Sequence, residues 1–203
     1  MAQTSQAVTV SDLCYDVTLV TTSAYLACTS CQPASTGSYC NAGINFRNQD
    51  PVNCITWDQA NYYCTGLGKR LPREEEYEWV ARGGLAGTTY PWGNTAPTAA
   101  DSPEKLCWSA EIDRQTGWPA RPTGTCPVGS YLAAGASPLG INDLVGDVWE
   151  WTTTLYDSTG YVVRGGGWDN YDPTRVTAGF RNGPVPASTV QDALGFRCVR
   201  SPQ

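Results

Sequence analysis

The most regular pattern of apolar and polar positions lies near the middle of the chain. Trp57, Ala60, Cys64 and Leu67 recur at spacings of three and four residues, which places them on one face of a helix. Thr56 stands before this run as an N-cap, Gln59 completes a capping box, and Gly68 is placed to end the helix. A second helix is predicted from Pro72. Glu74, Glu75 and Glu76 fill its first turn, Arg82 its last, and Gly83 follows, so charge complements the helix dipole at both ends.

Weaker patterns flank these helices. A strand-like stretch, Val17 to Val20, leads into a short helical turn through Ser23, Ala24, Tyr25, Leu26 and Cys28, capped by Thr21 or Thr22. From Thr29 to Asp50 the chain is polar and broken by Pro33, Gly37 and Gly43, which predicts a long loop pinned by Cys28, Cys31, Cys40 and Cys54. Beyond Gly84 no helical period is sustained. Short aromatic and β-branched runs alternate with Gly/Pro turns, at Tyr131–Leu132, Val148–Thr153, Tyr161–Val163 and Phe196–Val199. The pattern is α+β, read as one domain over residues 1–203.

Composition narrows the setting. With 21 Gly, 14 Pro and 16% charged residues, the chain is rich in turns. Its net charge of −6 and scattered basic residues offer no concentrated positive surface for nucleic acid. No run approaches the ~20 apolar residues that span a bilayer, so membrane insertion is not expected. Met1 to Val10 lacks the charged head and apolar core of a signal peptide. Nine cysteines without a histidine, and with one CxxC at Cys28–Cys31, fit disulfides better than zinc. The expected location is therefore extracellular or in the cell envelope. An odd count leaves one thiol over.

The segment PVNCITWDQANYYCTGLGKRLPREEEYEWVARGG (Pro51 to Gly84) resembles a block of the formylglycine-generating enzyme and sulfatase-modifying factor family. YPWGN (Tyr90 to Asn94), PVGSY (Pro127 to Tyr131), LVGDVWEWT (Leu144 to Thr152), VVRGGGW (Val162 to Trp168) and LGFRCVR (Leu194 to Arg200) follow in the family's order. The resemblance implies a variant of the C-type lectin fold: two helices, short twisted antiparallel sheets and many loops. The family's opening Phe-x-Met-Gly strand has no counterpart here, and Leu19 stands where the family has a Glu.

The resemblance also allows the family's chemistry to be tested position by position. Its oxidases hold copper between two thiolates shortly after Arg-Gly-Gly-Ser, a pairing suited to Cu(I) because both partners are soft. Here Gly167 replaces the Ser, Asn170 and the Pro173 to Arg175 neighbourhood take the thiolate places, and no cysteine lies between Cys126 and Cys198. Neither copper nor iron is expected, since the related sulfoxide synthases bind iron through imidazoles and this chain has no histidine. Ser-His-Asp and Cys-His catalysis lack their base for the same reason.

Disulfides are expected instead. The family's bridge from its first long helix to Gly-Phe-Arg-Cys maps to Cys64–Cys198, whose closure constrains the unfolded chain by roughly 4 to 5 kcal/mol on the chain-entropy model. A second family bridge maps to Ala81 and Ala178, where both cysteines are absent together. Cys107–Cys126, Cys40–Cys54 and Cys28–Cys31 are the remaining expected pairs, which leaves Cys14 over as a buried strand thiol or a link to a partner.

One metal is expected by resemblance: calcium in the turn before the Trp-Glu-Trp strand. Asp143 and Glu150 would supply side-chain oxygens, and Val145, Gly146 and Val148 backbone carbonyls. Trp168, Asn170, Tyr171, Asp172, Arg175, Arg181 and Asn182 fall where relatives build a substrate groove or diversified ligand surface. The function these expectations describe is a non-catalytic, calcium-stabilised, disulfide-bonded module that binds a protein or glycan or assembles with itself. A divergent oxidoreductase and a structural subunit of a cell-surface assembly are the alternatives.

Overall fold

The computed structural model describes residues 12–37, 39–98, 105–108, 124–131, 134–170 and 172–202. The helix signals fold close to their expected places. α1 (Thr22–Leu26) is capped by Thr21, whose hydroxyl accepts from Ala24 N at 3.1 Å. α2 (Trp57–Gly66) starts in the full capping box: Gln59 N donates to Thr56 Oγ1, and Thr56 N to Gln59 Oε1. It ends in a Schellman motif, with Gly68 N bonded to Thr65 O, Lys69 N to Cys64 O, and Gly68 at a φ of 67°.

α3 (Glu74–Ala81) begins two residues later than the Pro signal predicts. Pro72 O instead accepts from Thr153 N, so this residue belongs to the contact with the sheet rather than to the first helical turn. Gly83, at a φ of 68°, stops the helix as expected.

Strands β1 (Cys14–Tyr15), β2 (Trp149–Asp157), β3 (Gly160–Arg164), β4 (Arg181–Val185), β5 (Leu194–Gly195) and β6 (Val199–Arg200) form two sheets. One is the pair β1–β6; the other has the order β4-β3-β2-β5. The pairings are antiparallel except β2 with β5, which run parallel.

Val17–Val20 is not a strand. Val20 is threaded between two segments, its N donating to Phe196 O and its carbonyl accepting from Val52 N, so it makes single bonds on both sides instead of a ladder. Phe196 to Cys198 likewise lies between β5 and β6 rather than in a continuous strand. β4 forms although Arg181–Val185 carries Gly183 and Pro184, residues that give no strand signal. Of the expected strand at Tyr131–Leu132, Leu132 lies outside the described residues, and Tyr131 is in a turn.

The principal core gathers α2 and the four-stranded sheet around Ile55, Ala60, Leu71, Trp151, Val163 and Phe196. Trp57 stacks on Tyr161 with ring centroids 4.3 Å apart and donates Nε1 to Thr152 O, so the first helical turn is fixed on the hairpin β2–β3. A second buried cluster holds Tyr77, Val80, Ala81, Ile141, Leu144 and Ala178. Ala81 and Ala178, where the family resemblance places a bridge, thus share one packed cluster without cysteines.

Four disulfides are formed: Cys28–Cys31, Cys40–Cys54, Cys64–Cys198 and Cys107–Cys126. Cys64–Cys198 spans 134 residues and ties α2 to the chain just before β6, a closure of about 5 kcal/mol on the chain-entropy model. Cys14 is free and exposed, opposite Arg200 in the β1–β6 pair. The buried-thiol reading is thereby corrected: a two-residue edge strand leaves its side chain uncovered.

Candidate functional site

The turn before β2 is built from unusual backbone. Asp143, Gly146 and Asp147 all have positive φ, at 54°, 78° and 60°. A side chain at 146 would bring its Cβ within 2.5 Å of Cys107 O, so only Gly lets the turn lie against the Cys107–Cys126 bridge. That bridge is tied to the turn from both sides, by Asp147 N to Cys107 O at 2.7 Å and Cys126 N to Asp147 Oδ1 at 3.1 Å.

Asp143 Oδ2 accepts from Gly129 N at 2.7 Å, and Tyr77 donates its hydroxyl to Leu144 O. Asp147 is a buried carboxylate that sequence reasoning passed over. Burial pushes its carboxyl well above the usual range, and the charge of Asp143 pushes in the same direction.

Glu150 is oriented by an arginine of the LGFRCVR segment. Arg197 donates Nε to Glu150 Oε2 at 2.7 Å and Nη2 to Oε1 at 2.9 Å, and a further Nη2 bond reaches Asp143 O at 2.8 Å. Burial raises the Glu150 carboxyl to about 7, with Arg197 opposing the shift. Burial alone would lower Arg197, but the Glu150 carboxylate outweighs it and holds the guanidinium above its ordinary value.

Among the described residues, no three His, Cys, Asp or Glu side chains converge into a metal cluster. A cation here would therefore depend on carbonyls. In kind the donors fit calcium, since Asp143, Val145, Gly146 and Val148 offer only hard oxygens. Glu150 is the exception in availability, because both its oxygens already serve Arg197 and would be shared.

The candidate ligand face is partly assembled. Trp168 is half-buried against the main core, donates Nε1 to Asp192 O at 3.3 Å and packs on Tyr39 with ring centroids 5.6 Å apart. Asn53 joins the same corner, donating Nδ2 to Tyr39 O and Asp192 O. Asn170 closes a tight turn with Gly167: Gly167 N donates to Asn170 Oδ1 at 3.2 Å, and Asn170 N to Gly167 O at 3.0 Å.

Asp172 caps the 3-10 turn Pro173–Val176 through Thr174, and exposed Arg175 sits 5.8 Å over the Phe180 ring. Arg181 forms an ion pair with Glu74 at 2.7 Å and lies 4.4 Å over Tyr156, while Asn182 pairs with Val163 along the edge strand β4. Tyr171 lies outside the described residues. Tyr39 and Asp192 come to this face from distant loops and carried no sequence signal.

The model of the Sulfatase-modifying factor enzyme 1-like domain matches residues 3–202. The chain belongs to this family.

Within it, the chain is similar to inactive C-alpha-formylglycine-generating enzyme 2 of Bos taurus, 39% identical over 177 residues that cover 83% of this chain and 54% of that protein. It is also similar to the formylglycine-generating enzyme of Streptomyces coelicolor, 33% identical over 177 residues that cover 77% of this chain and 54% of the relative. The chain thus spans about half the length of these relatives.

Among solved structures, CarF superposes with a TM-score of 0.70 at 18% identity, covering 94% of this chain and 87% of its own. Treponema denticola variable protein 1 gives 0.67 at 20% identity, covering 91% and 82%. These likenesses establish the family fold. Among the described residues, no helix is long and apolar enough to cross a membrane.

Proposed function

We propose that this chain is a non-catalytic binding module, stabilised by calcium and disulfides, that acts outside the cytoplasm on a protein or glycan partner or on further copies of itself. The observation that carries the proposal is Asn170. It stands where the resemblance puts a copper-binding thiolate, and its side chain is spent on closing the Gly167–Asn170 turn. An amide engaged in this way offers no soft ligand and no nucleophile. The similarity to a protein named inactive, over most of this chain, supports the same reading.

The Trp168–Tyr39 corner, together with exposed Arg175 over the Phe180 ring, is the surface offered to a partner. Aromatic rings paired with Arg suit recognition because they bury much area while keeping polar contacts. The four disulfides support an oxidising setting, extracellular or in the cell envelope. Calcium is assigned to Asp143, Val145, Gly146 and Val148, with Glu150 shared with Arg197.

The similarity to an enzyme named formylglycine-generating favours the oxidoreductase alternative. Metal analysis of the purified protein separates the two. Calcium near one per chain, with a stabilisation of about 2.7 kcal/mol at a hundredfold excess over Kd, is the expected result. Stoichiometric copper overturns the binding-module reading.

A further inference from the structure

The disulfides differ sharply in setting. Cys54, Cys64, Cys198, Cys107 and Cys126 are buried, so each of the other three bridges has at least one cysteine sealed from solvent. Cys28 and Cys31 are only half-buried, and Thr29 and Ser30 between them are exposed. This bridge closes a separation of 3 residues, against 134 for Cys64–Cys198. So short a closure removes little freedom from the unfolded chain, so stabilising the fold is a weak reason for this pair.

The backbone around the pair is anchored independently of the sulfurs. Cys28 N donates to Tyr25 O at 3.0 Å and Cys31 N to Cys28 O at 3.2 Å. Tyr25 donates its hydroxyl to Gln32 O at 2.7 Å, and Gln59 Nε2 donates to Pro33 O at 2.7 Å. None of these four contacts runs through a sulfur atom.

We infer that Cys28–Cys31 is a surface thiol–disulfide exchange site that accepts electrons from an external dithiol while the other three bridges stay closed. Cys28 is the sulfur attacked, because Cys31 packs against the principal core whereas Cys28 Sγ lies 3.7 Å from the Ser30 hydroxyl at the surface. A thiolate of the dithiol bonds to Cys28 Sγ, and the electron pair of the broken bond leaves on Cys31 Sγ, which takes a proton from water. The second thiol of the reductant, deprotonated to water, then attacks its own sulfur in the mixed disulfide and releases Cys28 Sγ, which is protonated in turn. Two electrons and two protons pass to the protein, and the dithiol becomes a disulfide. The inference does not rest on what the Trp168 face binds.

The test uses dithiothreitol as the dithiol, on a Cys14→Ser background that prevents scrambling. Thiols are trapped with N-ethylmaleimide under native conditions, and the remaining cysteines are reduced, labelled with iodoacetamide and located by peptide mass spectrometry. Cys28 and Cys31 are expected to become labelled at dithiothreitol concentrations at least about tenfold below those that open Cys64–Cys198. The aromatic bands of the near-UV circular dichroism spectrum should be retained, and oxidised glutathione should restore the bridge. The inference is overturned if the pair opens only together with a second bridge, or with loss of those aromatic bands. A Cys28→Ser/Cys31→Ser variant gives an independent readout: a Tm within about 4 °C of the parent supports the inference, and a larger loss assigns the bridge to the fold.

Discussion

Arg197 and Glu150 meet as a fully buried bidentate pair, joined by bonds of 2.7 and 2.9 Å between the segment before β6 and strand β2. Neither residue has solvent to fall back on. Replacing Arg197 with Met should therefore cost about 3 to 5 kcal/mol, because it leaves the Glu150 carboxyl buried without its partner. Adding Glu150→Gln to that variant should recover part of the loss, as measured by urea denaturation. A single Arg197→Met variant within 1 kcal/mol of the parent, an order-of-magnitude threshold, would contradict this account.

Glu76 should make the fold sensitive to acid. Burial alone would raise its carboxyl, but hydrogen bonds from Arg70 and Arg73 N, with the charges of both arginines, outweigh this and hold it below its ordinary value. A depressed carboxyl adds stability that is fully present above the unfolded value near 4.5 and is lost as pH falls through the lower folded value. Glu76→Gln should flatten the stability profile in that acid window while lowering stability at pH 7. Identical slopes in parent and variant would remove Glu76 from the explanation.

Removing the long bridge with Cys64→Ala and Cys198→Ala should lower stability by about 2 to 5 kcal/mol. The loss should exceed that from removing Cys28–Cys31, because 134 residues of separation constrain the unfolded chain more than 3 do. Comparing the two double variants by thermal unfolding gives the order directly.

Thr56→Ala removes the hydroxyl that accepts from Gln59 N at the start of α2. The cost should be about 1 kcal/mol, the usual value of an N-cap, with little change in the Trp57–Tyr161 stack beneath it. Chemical denaturation measures the loss, and an unchanged midpoint would mean that tertiary packing alone sets this helix start.

What was legible in the chain was local or motif-borne. The Thr56–Gln59 box and the Gly68 and Gly83 stops act within a few residues, and the structure places both helix ends accordingly. The strands were harder to read. β4 carries Gly183 and Pro184, residues that argue against a strand, yet pairing with β3 and the close approach of Gly183 to Tyr156 hold it in the sheet. Nor did the chain show which partners the described residues of the candidate ligand face would take: Arg181 pairs with Glu74, and Asn182 sits in the edge strand β4 opposite Val163.

The sequence by itself determined the family, the Thr56–Gln59 capping box and the absence of histidine and of any cysteine between Cys126 and Cys198, because each is a property of residue identity or of neighbours a few positions apart. Tertiary structure alone decided that Arg197 claims Glu150, that Tyr39 packs on Trp168, and that Asp147 and Asp143 share one acidic turn. Glu150 with Arg197 and Tyr39 with Trp168 join segments far apart in sequence. Asp143 and Asp147 are near neighbours, but their burial depends on the Cys107–Cys126 segment lying against the turn. No local period encodes such encounters; they exist because the core and the long disulfide bring distant loops to the same place.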